Sequence, residues 1–242
     1  DRVLPMLPEK LCNDVCSLRP AEDRLAMSVK MKLSGSGKIL GTTAMNSVIR
    51  SRARLSYDQV DSYLQGDVLA LDSAVSREDV GAIKEMIDVL NQIRALREEI
   101  REKRGSVDFE SVETRVVLDE NNKPVGVSVR ERTQATGLIE EAMLVANESV
   151  AHMLSQHDLE SAYRVHEQPS PESLKLAVTP LVAMGALEPG VASRIAIGDQ
   201  TALQEALESV YGTRYSRVVN AQLLRAQKRA IYLPTNQGHF AL

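Results

Sequence analysis

Between Arg24 and Leu33 the side chains alternate, with Leu25, Met27, Val29, Met31 and Leu33 set against Ala26, Ser28, Lys30 and Lys32. A period of two predicts a strand with one apolar face. The run Ser34-Gly35-Ser36-Gly37 predicts a turn, and the returning partner strand spans Lys38 to Arg50. The period then lengthens. Ser56 is the expected N-cap of a short helix beginning at Tyr57. Ser76, with Asp79 three residues on, predicts the start of a longer helix. Along it Val80, Ile83, Ile87, Leu90, Ile93, Leu96 and Ile100 recur at helical spacing until Gly105 stops it. Two strands, Thr114 to Asp119 and Pro124 to Arg130, flank a turn, and a helix follows from Gln134 to Ser155. Helices are predicted over Pro171 to Met184, Gln200 to Tyr211 and Ser216 to Ala230, with a short turn after Pro189. The order predicts one α+β domain over residues 1–242, with a mixed sheet in the first half and helices in the second.

At 242 residues and 43% hydrophobic content, the chain can bury a core without staples. Cys12 and Cys16 are too few for a disulfide framework, and no second pair stands at zinc spacing. No apolar run reaches membrane-spanning length, and the first residues lack the pattern of a signal peptide, so a soluble, cytoplasmic protein with no membrane partner is expected. The net charge of −4 does not announce a nucleic-acid binder. It does not exclude one, because a channel for a single strand needs positive potential only locally. With two Phe, six Tyr and no Trp, any base stacking falls on a few residues.

No phosphate-cradling glycine loop, dinucleotide fingerprint, zincin helix or nucleophile elbow occurs. Three arginines and a tyrosine crowd the segment Arg50-Ser51-Arg52-Ala53-Arg54-Leu55-Ser56-Tyr57, which suits phosphate and base contacts or, equally, surface ion pairs. Glu140 and Glu141 are adjacent inside an apolar helix. Successive helical residues point about 100° apart, so the two carboxylates cannot share one face, and one of them meets a polar environment. Asn147 lies two turns beyond Glu140 on a similar face. His166 and His239 are far apart in sequence; each reads as a hydrogen-bonded structural histidine or as a member of a site.

Taken in order, these pieces resemble the RNB domain of ribonuclease II, ribonuclease R and the exosome-type exoribonucleases. The resemblance runs through Arg2-Val3-Leu4-Pro5-Met6-Leu7-Pro8 to Cys16-Ser17-Leu18, then Glu22-Asp23-Arg24-Leu25, then Ile49 to Asp58. It continues through Leu138 to Met143 with Ala146-Asn147, Tyr163-Arg164-Val165-His166-Glu167, and Asn236 to Leu242. It implies the central part of a 3′→5′ exoribonuclease that hydrolyses single-stranded RNA to nucleoside 5′-monophosphates with Mg2+ and has no preference for DNA. Tyr57 matches the family tyrosine near the 3′-terminal nucleotide, and Phe109 the aromatic that stacks on terminal bases. Glu140 matches the acidic residue that contacts ribose, where a carboxylate can accept a hydrogen bond from the 2′-hydroxyl. Arg54, Asn147, His166 and His239 are candidates for facing RNA or supporting the site.

Two departures qualify the match. The family's metal-binding run, Asp-x5-Asp-x-Asp-Asp, occurs nowhere in these 242 residues, and neither does its Thr-Ser-Pro-Ile-Arg-Arg-Tyr stretch with the cleavage-assisting arginine. Ala241 also stands where the family has glycine after His-Phe. No catalytic residue and no metal ligand is therefore expected within the chain, nor are counterparts of the flanking OB-fold domains. The expectation is an inactive piece of an active parent; the alternative is a non-catalytic RNB-like scaffold that binds RNA or protein.

Overall fold

The computed structural model describes residues 4–107, 109, 113–130 and 132–240. The chain divides into two compact units, Asp1–Arg97 with Arg132–Val150 and Glu98–Glu131 with Ala151–Leu242. The α+β expectation holds. The strands, however, form three separate antiparallel ribbons among the described residues rather than one mixed sheet.

In the first unit a turn of π-helix, Leu11–Val15, precedes β1 (Asp23–Leu33) and β2 (Ile39–Arg50). These pair antiparallel, Leu25 opposite Val48 and Met31 opposite Thr42. The turn closes because Gly37 takes φ 76, a conformation costly for any residue with a Cβ. The alternating face does not stay on one side. Leu25 and Met27 are 88% and 73% exposed, whereas Val29, Met31 and Leu33 are half-buried. A long two-stranded ribbon twists along its length, so the apolar edge that meets protein at one end turns to the surface at the other.

Helix α1 (Tyr57–Leu64) starts on the predicted cap: Ser56 Oγ accepts from Gln59 N, and Gln59 Oε1 accepts from Ser56 N. Helix α2 (Val80–Arg104) begins as expected, with Ser76 Oγ accepting from Asp79 N, and ends at Gly105 with φ 81. Helix α3 (Gln134–Gln156) has a reciprocal cap in which Thr133 and Thr136 hydroxyls each accept the other's backbone N–H. Leu71, Val75, Ile83, Ile87 and Leu138 form this unit's buried core.

In the second unit β3 (Glu113–Leu118) and β4 (Pro124–Arg130) form the second hairpin. Four helices follow: α4 (Pro171–Ala183), α5 (Pro189–Ala196), α6 (Gln200–Ser209) and α7 (Ser216–Ala226). Apolar side chains at helical spacing on each build one core, with Leu174, Leu181, Ile195, Leu203, Val219 and Leu223 excluded from solvent. The predicted turn after Pro189 is a full helix, with proline in its first turn. Helix α7 ends four residues before the predicted limit, because Gln227 is extended and the chain runs into β6 (Ile231–Leu233). That strand pairs with β5 (Tyr163–Val165), and neither three-residue strand is long enough to show a period.

Candidate functional site

The sequence-predicted residues fall in both units. Arg54, Tyr57, Glu140 and Asn147 lie in the first, and Phe109, His166 and His239 in the second.

In the first unit the basic segment leads directly into α1. Arg50 is tied to Asp23 across the hairpin at 2.6 Å, and Arg52 lies 3.9 Å from Asp79. That hydrogen bond holds the Asp23 carboxyl below the usual carboxylate range. Arg54 and Tyr57 stand exposed at the start of α1. One turn later Asp61, 9% exposed, accepts the backbone N–H of Ala135 at 2.8 Å. A carboxylate at the N-terminus of α3 satisfies an orphan donor and meets the positive end of the helix. This contact, beside the packing of Val60, Tyr63 and Leu64 on the cluster that holds Leu138, ties the helix carrying Tyr57 to the helix carrying Glu140.

The adjacent glutamates divide as their 100° separation requires: Glu140 is exposed, and Glu141 is 1% exposed. Arg132 Nε donates to Glu140 Oε2 at 3.0 Å, across a pair with both side chains about half exposed. Asn147 is exposed. Behind it Arg97, 4% exposed, donates to Glu148 at 2.5 Å and reaches the Gly37 carbonyl at 3.4 Å, joining α2, α3 and the first hairpin turn. An exposed carboxylate on a fixed helix, in a unit that also presents an arginine and a tyrosine, can accept from a sugar hydroxyl while cation and ring meet phosphate and base.

In the second unit Phe109 is half-buried against the helical core, next to buried Val107. The two histidines, 73 residues apart, are brought together: their rings meet edge to face at a centroid distance of 4.9 Å. The strand pairing of β5 with β6 places Arg164 and His166 opposite the segment that returns to His239. Arg164 Nη1 donates to His239 Nε2 at 2.7 Å, and His166 Nε2 lies 2.8 Å from the Lys228 carbonyl. An arginine donates only and a carbonyl accepts only, so the His239 proton belongs on Nδ1 and a His166 proton on Nε2. Nδ1 of His239 is buried and has no partner among the described residues. Burial first, then the charges of His166 and Arg164, lower the His239 pKa to about 4. Lys228 pairs with Glu167 at 2.5 Å, and Gln200 Nε2 donates to the Phe240 carbonyl at 2.8 Å, fixing the end of the segment.

Asp61, Arg132, Arg164, Gln200 and Lys228 escape sequence reasoning. Asp61 alone carried a signal, a carboxylate among the apolar Val60, Tyr63 and Leu64 of a short helix. Among the described residues no three His, Cys, Asp or Glu side chains converge as metal ligands, so the donor set present does not fit a magnesium site. Also among them, no helix is long and apolar enough to cross a membrane.

The RNB domain family model matches residues 1–242. Ribonuclease R 1 of Lactococcus lactis subsp. lactis is 34% identical over 242 residues, covering 100% of this chain and 28% of that protein. Ribonuclease R of Thermotoga maritima is 37% identical over 243 residues, with 100% and 33% covered. The structure of Mycoplasma genitalium RNase R in complex with ribose methylated single-stranded RNA superimposes with a TM-score of 0.83 at 26% identity, over 98% of this chain and 35% of that one. The chain thus spans about a third or less of the length of each of these relatives.

Proposed function

Because this chain belongs to the RNB domain family, we propose that it is part of a 3′→5′ exoribonuclease that hydrolyses single-stranded RNA to nucleoside 5′-monophosphates, and that it forms part of the RNA-facing wall of that enzyme. The observation that carries the reading is the family match along all 242 residues. In this reading Tyr57 meets the 3′-terminal nucleotide, Phe109 stacks on bases, and Glu140 accepts a hydrogen bond from the ribose 2′-hydroxyl. The last contact selects RNA, since DNA has no hydroxyl to offer. Arg132 orients the Glu140 carboxylate through one oxygen and leaves the other for the sugar. Arg54 and Asn147 extend the RNA-facing surface of the first unit, and the His166–His239 pair supports that of the second. Magnesium and the cleavage-assisting arginine belong to the longer parent protein, and no step of the hydrolysis is assigned to the residues of this chain.

The test is made in the parent protein with magnesium and matched single-stranded RNA and DNA, labelled at the 5′ end. Stepwise shortening of RNA from its 3′ end with release of 5′-mononucleotides is expected, with DNA a poor substrate. Glu140→Ala should narrow the RNA-to-DNA rate ratio by at least about tenfold, the worth of one lost hydrogen bond to a charged group. An unchanged ratio would remove Glu140 from the sugar site. The 242-residue polypeptide alone should release no mononucleotide, and robust release by it would overturn the assignment of the chemistry to the parent.

A further inference from the structure

The chain is acidic overall, with a net charge of −4, yet residues 209–242 contain five Arg or Lys and no Asp or Glu. Helix α7 is the centre of this stretch. It buries Ser216, Val219 and Leu223 in the second unit's core. At 100° per residue, Arg217, Ala221 and Arg225 fall on the side opposite those three, and all three are exposed. Arg217 and Arg225 are separated by eight residues, about 12 Å along the axis. Arg229 is exposed just beyond the helix end.

These arginines differ from most others in the chain in lacking a partner, a state shared among the described residues by Arg54 and Arg77. Arg50, Arg97 and Arg132 each bond a carboxylate, and Arg194 bonds two. Lys228, within the same stretch, is taken by Glu167. Arg217, Arg225 and Arg229 have no ion pair or side-chain hydrogen bond among the described residues. Unpaired guanidinium groups, two on the outward face of α7 and a third just past its end, match the geometry of phosphate oxygens and are weakly hydrated, so they bind such oxygens at low desolvation cost. Aromatic rings flank the helix start. Tyr211 is 75% exposed, and the Arg214 guanidinium lies 4.6 Å from the centre of the Tyr215 ring. A basic helix face with one freely exposed ring, Tyr211, at its start suits a single-stranded nucleic acid better than an acidic protein surface, which offers nothing to stack.

We propose that the outward face of α7, with Arg217, Arg225 and Arg229, is a track for the phosphates of single-stranded RNA. The proposal rests on the reading of the chain as part of an RNA-degrading enzyme and adds a contact surface on the second unit, separate from Tyr57 and Glu140 on the first. The track reads charge and not sugar, so it holds DNA and RNA alike.

Fluorescence anisotropy of a labelled oligoadenylate with the 242-residue chain tests it, titrated at salt concentrations from about 50 to 200 mM. Replacing all three by charge reversal, Arg217→Glu with Arg225→Glu and Arg229→Glu, should weaken binding by at least about tenfold and make the plot of log affinity against log salt shallower by about 2. The conservative triple replacement by lysine should retain the slope. The three side chains are exposed, so the helical circular dichroism of both variants should match the wild type. Equal affinity and slope for wild type and reversal would overturn the track and leave the nuclease reading standing. No binding of RNA by the wild-type chain would overturn it as well. Displacement of the RNA by poly-glutamate as effectively as by unlabelled RNA would assign the face to an acidic protein instead. Failure of the parent to release mononucleotides would sink the nuclease reading without touching these binding results.

Discussion

In the second unit sixteen buried apolar residues from Val107 to Leu223 form one core, whereas the first unit's buried core among the described residues is five side chains. The first unit also carries buried polar ties between its elements: Asp61 to the N-terminus of α3, and Arg97 to Glu148 and to the Gly37 carbonyl. The two means of fixing a fold have different consequences for the groups they display. Non-directional burial stabilises the helices as a body and leaves their outward faces free to carry any charge. Directional polar contacts add less energy each but fix the angle between elements, here the helices that carry Tyr57 and Glu140.

The largest expected effect breaks the second unit. Leu203 is fully buried in the four-helix core, and Leu203→Ala removes contacts there while leaving a cavity. A loss of about 3 kcal/mol in unfolding free energy is expected by denaturant titration, against a near-neutral outcome for truncation of exposed Leu176. If Leu203→Ala cost no more than Leu176→Ala, the description of this core as the main stabilising element would be wrong.

A smaller effect tests the first unit. Asp61→Ala leaves the Ala135 N–H buried and unsatisfied and removes a negative charge from a helix start, at a cost of about 1–2 kcal/mol. The sharper reading is functional: under the proposed exoribonuclease activity, loosening α1 from α3 should reduce the parent's rate on RNA by more than the stability loss explains. Restoration of both by Asp61→Asn, whose side-chain oxygen can still accept, would identify the cap as geometric; failure of Asn to restore either would show that the charge matters more.

How far the sequence led depended on the range of the interactions. The helix caps at Ser56 and Ser76 and the first hairpin turn are local devices, and all three stand where their residue patterns put them. The pairing of β5 with β6 joins residues some 68 positions apart through three-residue strands, so no local pattern announces it. With it goes the meeting of His166 and His239, whose separation in sequence concealed their contact. The helical period required Glu140 and Glu141 to differ but could not say which turned outward; that depended on where Leu138 and Asp61 seat α3. Leu25 and Met27 show the opposite limit, since perfect alternation placed them on an apolar face that the ribbon turns outward.

The last test concerns the histidine pair and is read as a pH dependence. His239 has a pKa of about 4 in the folded chain, below the ordinary value near 6.5 that it regains on unfolding. Between these values the unfolded state holds the proton and the folded state does not, so protonation favours unfolding. The contribution of neutral His239 is therefore fully present above pH 6.5, declines as pH falls toward 4, and changes no further below that. The carboxylates with lowered values, Asp23, Glu99, Glu167 and Asp199, begin to contribute at about pH 5 and below, so they overlap only the lower part of this window and are shared by wild type and variant. His239→Gln keeps an acceptor for Arg164 and cannot titrate, so its unfolding free energy should fall less steeply than wild type between pH 6.5 and 4. Parallel curves for the two proteins would mean that His239 takes up its proton over the same pH range folded as unfolded, and that the Arg164 guanidinium does not donate to its ring.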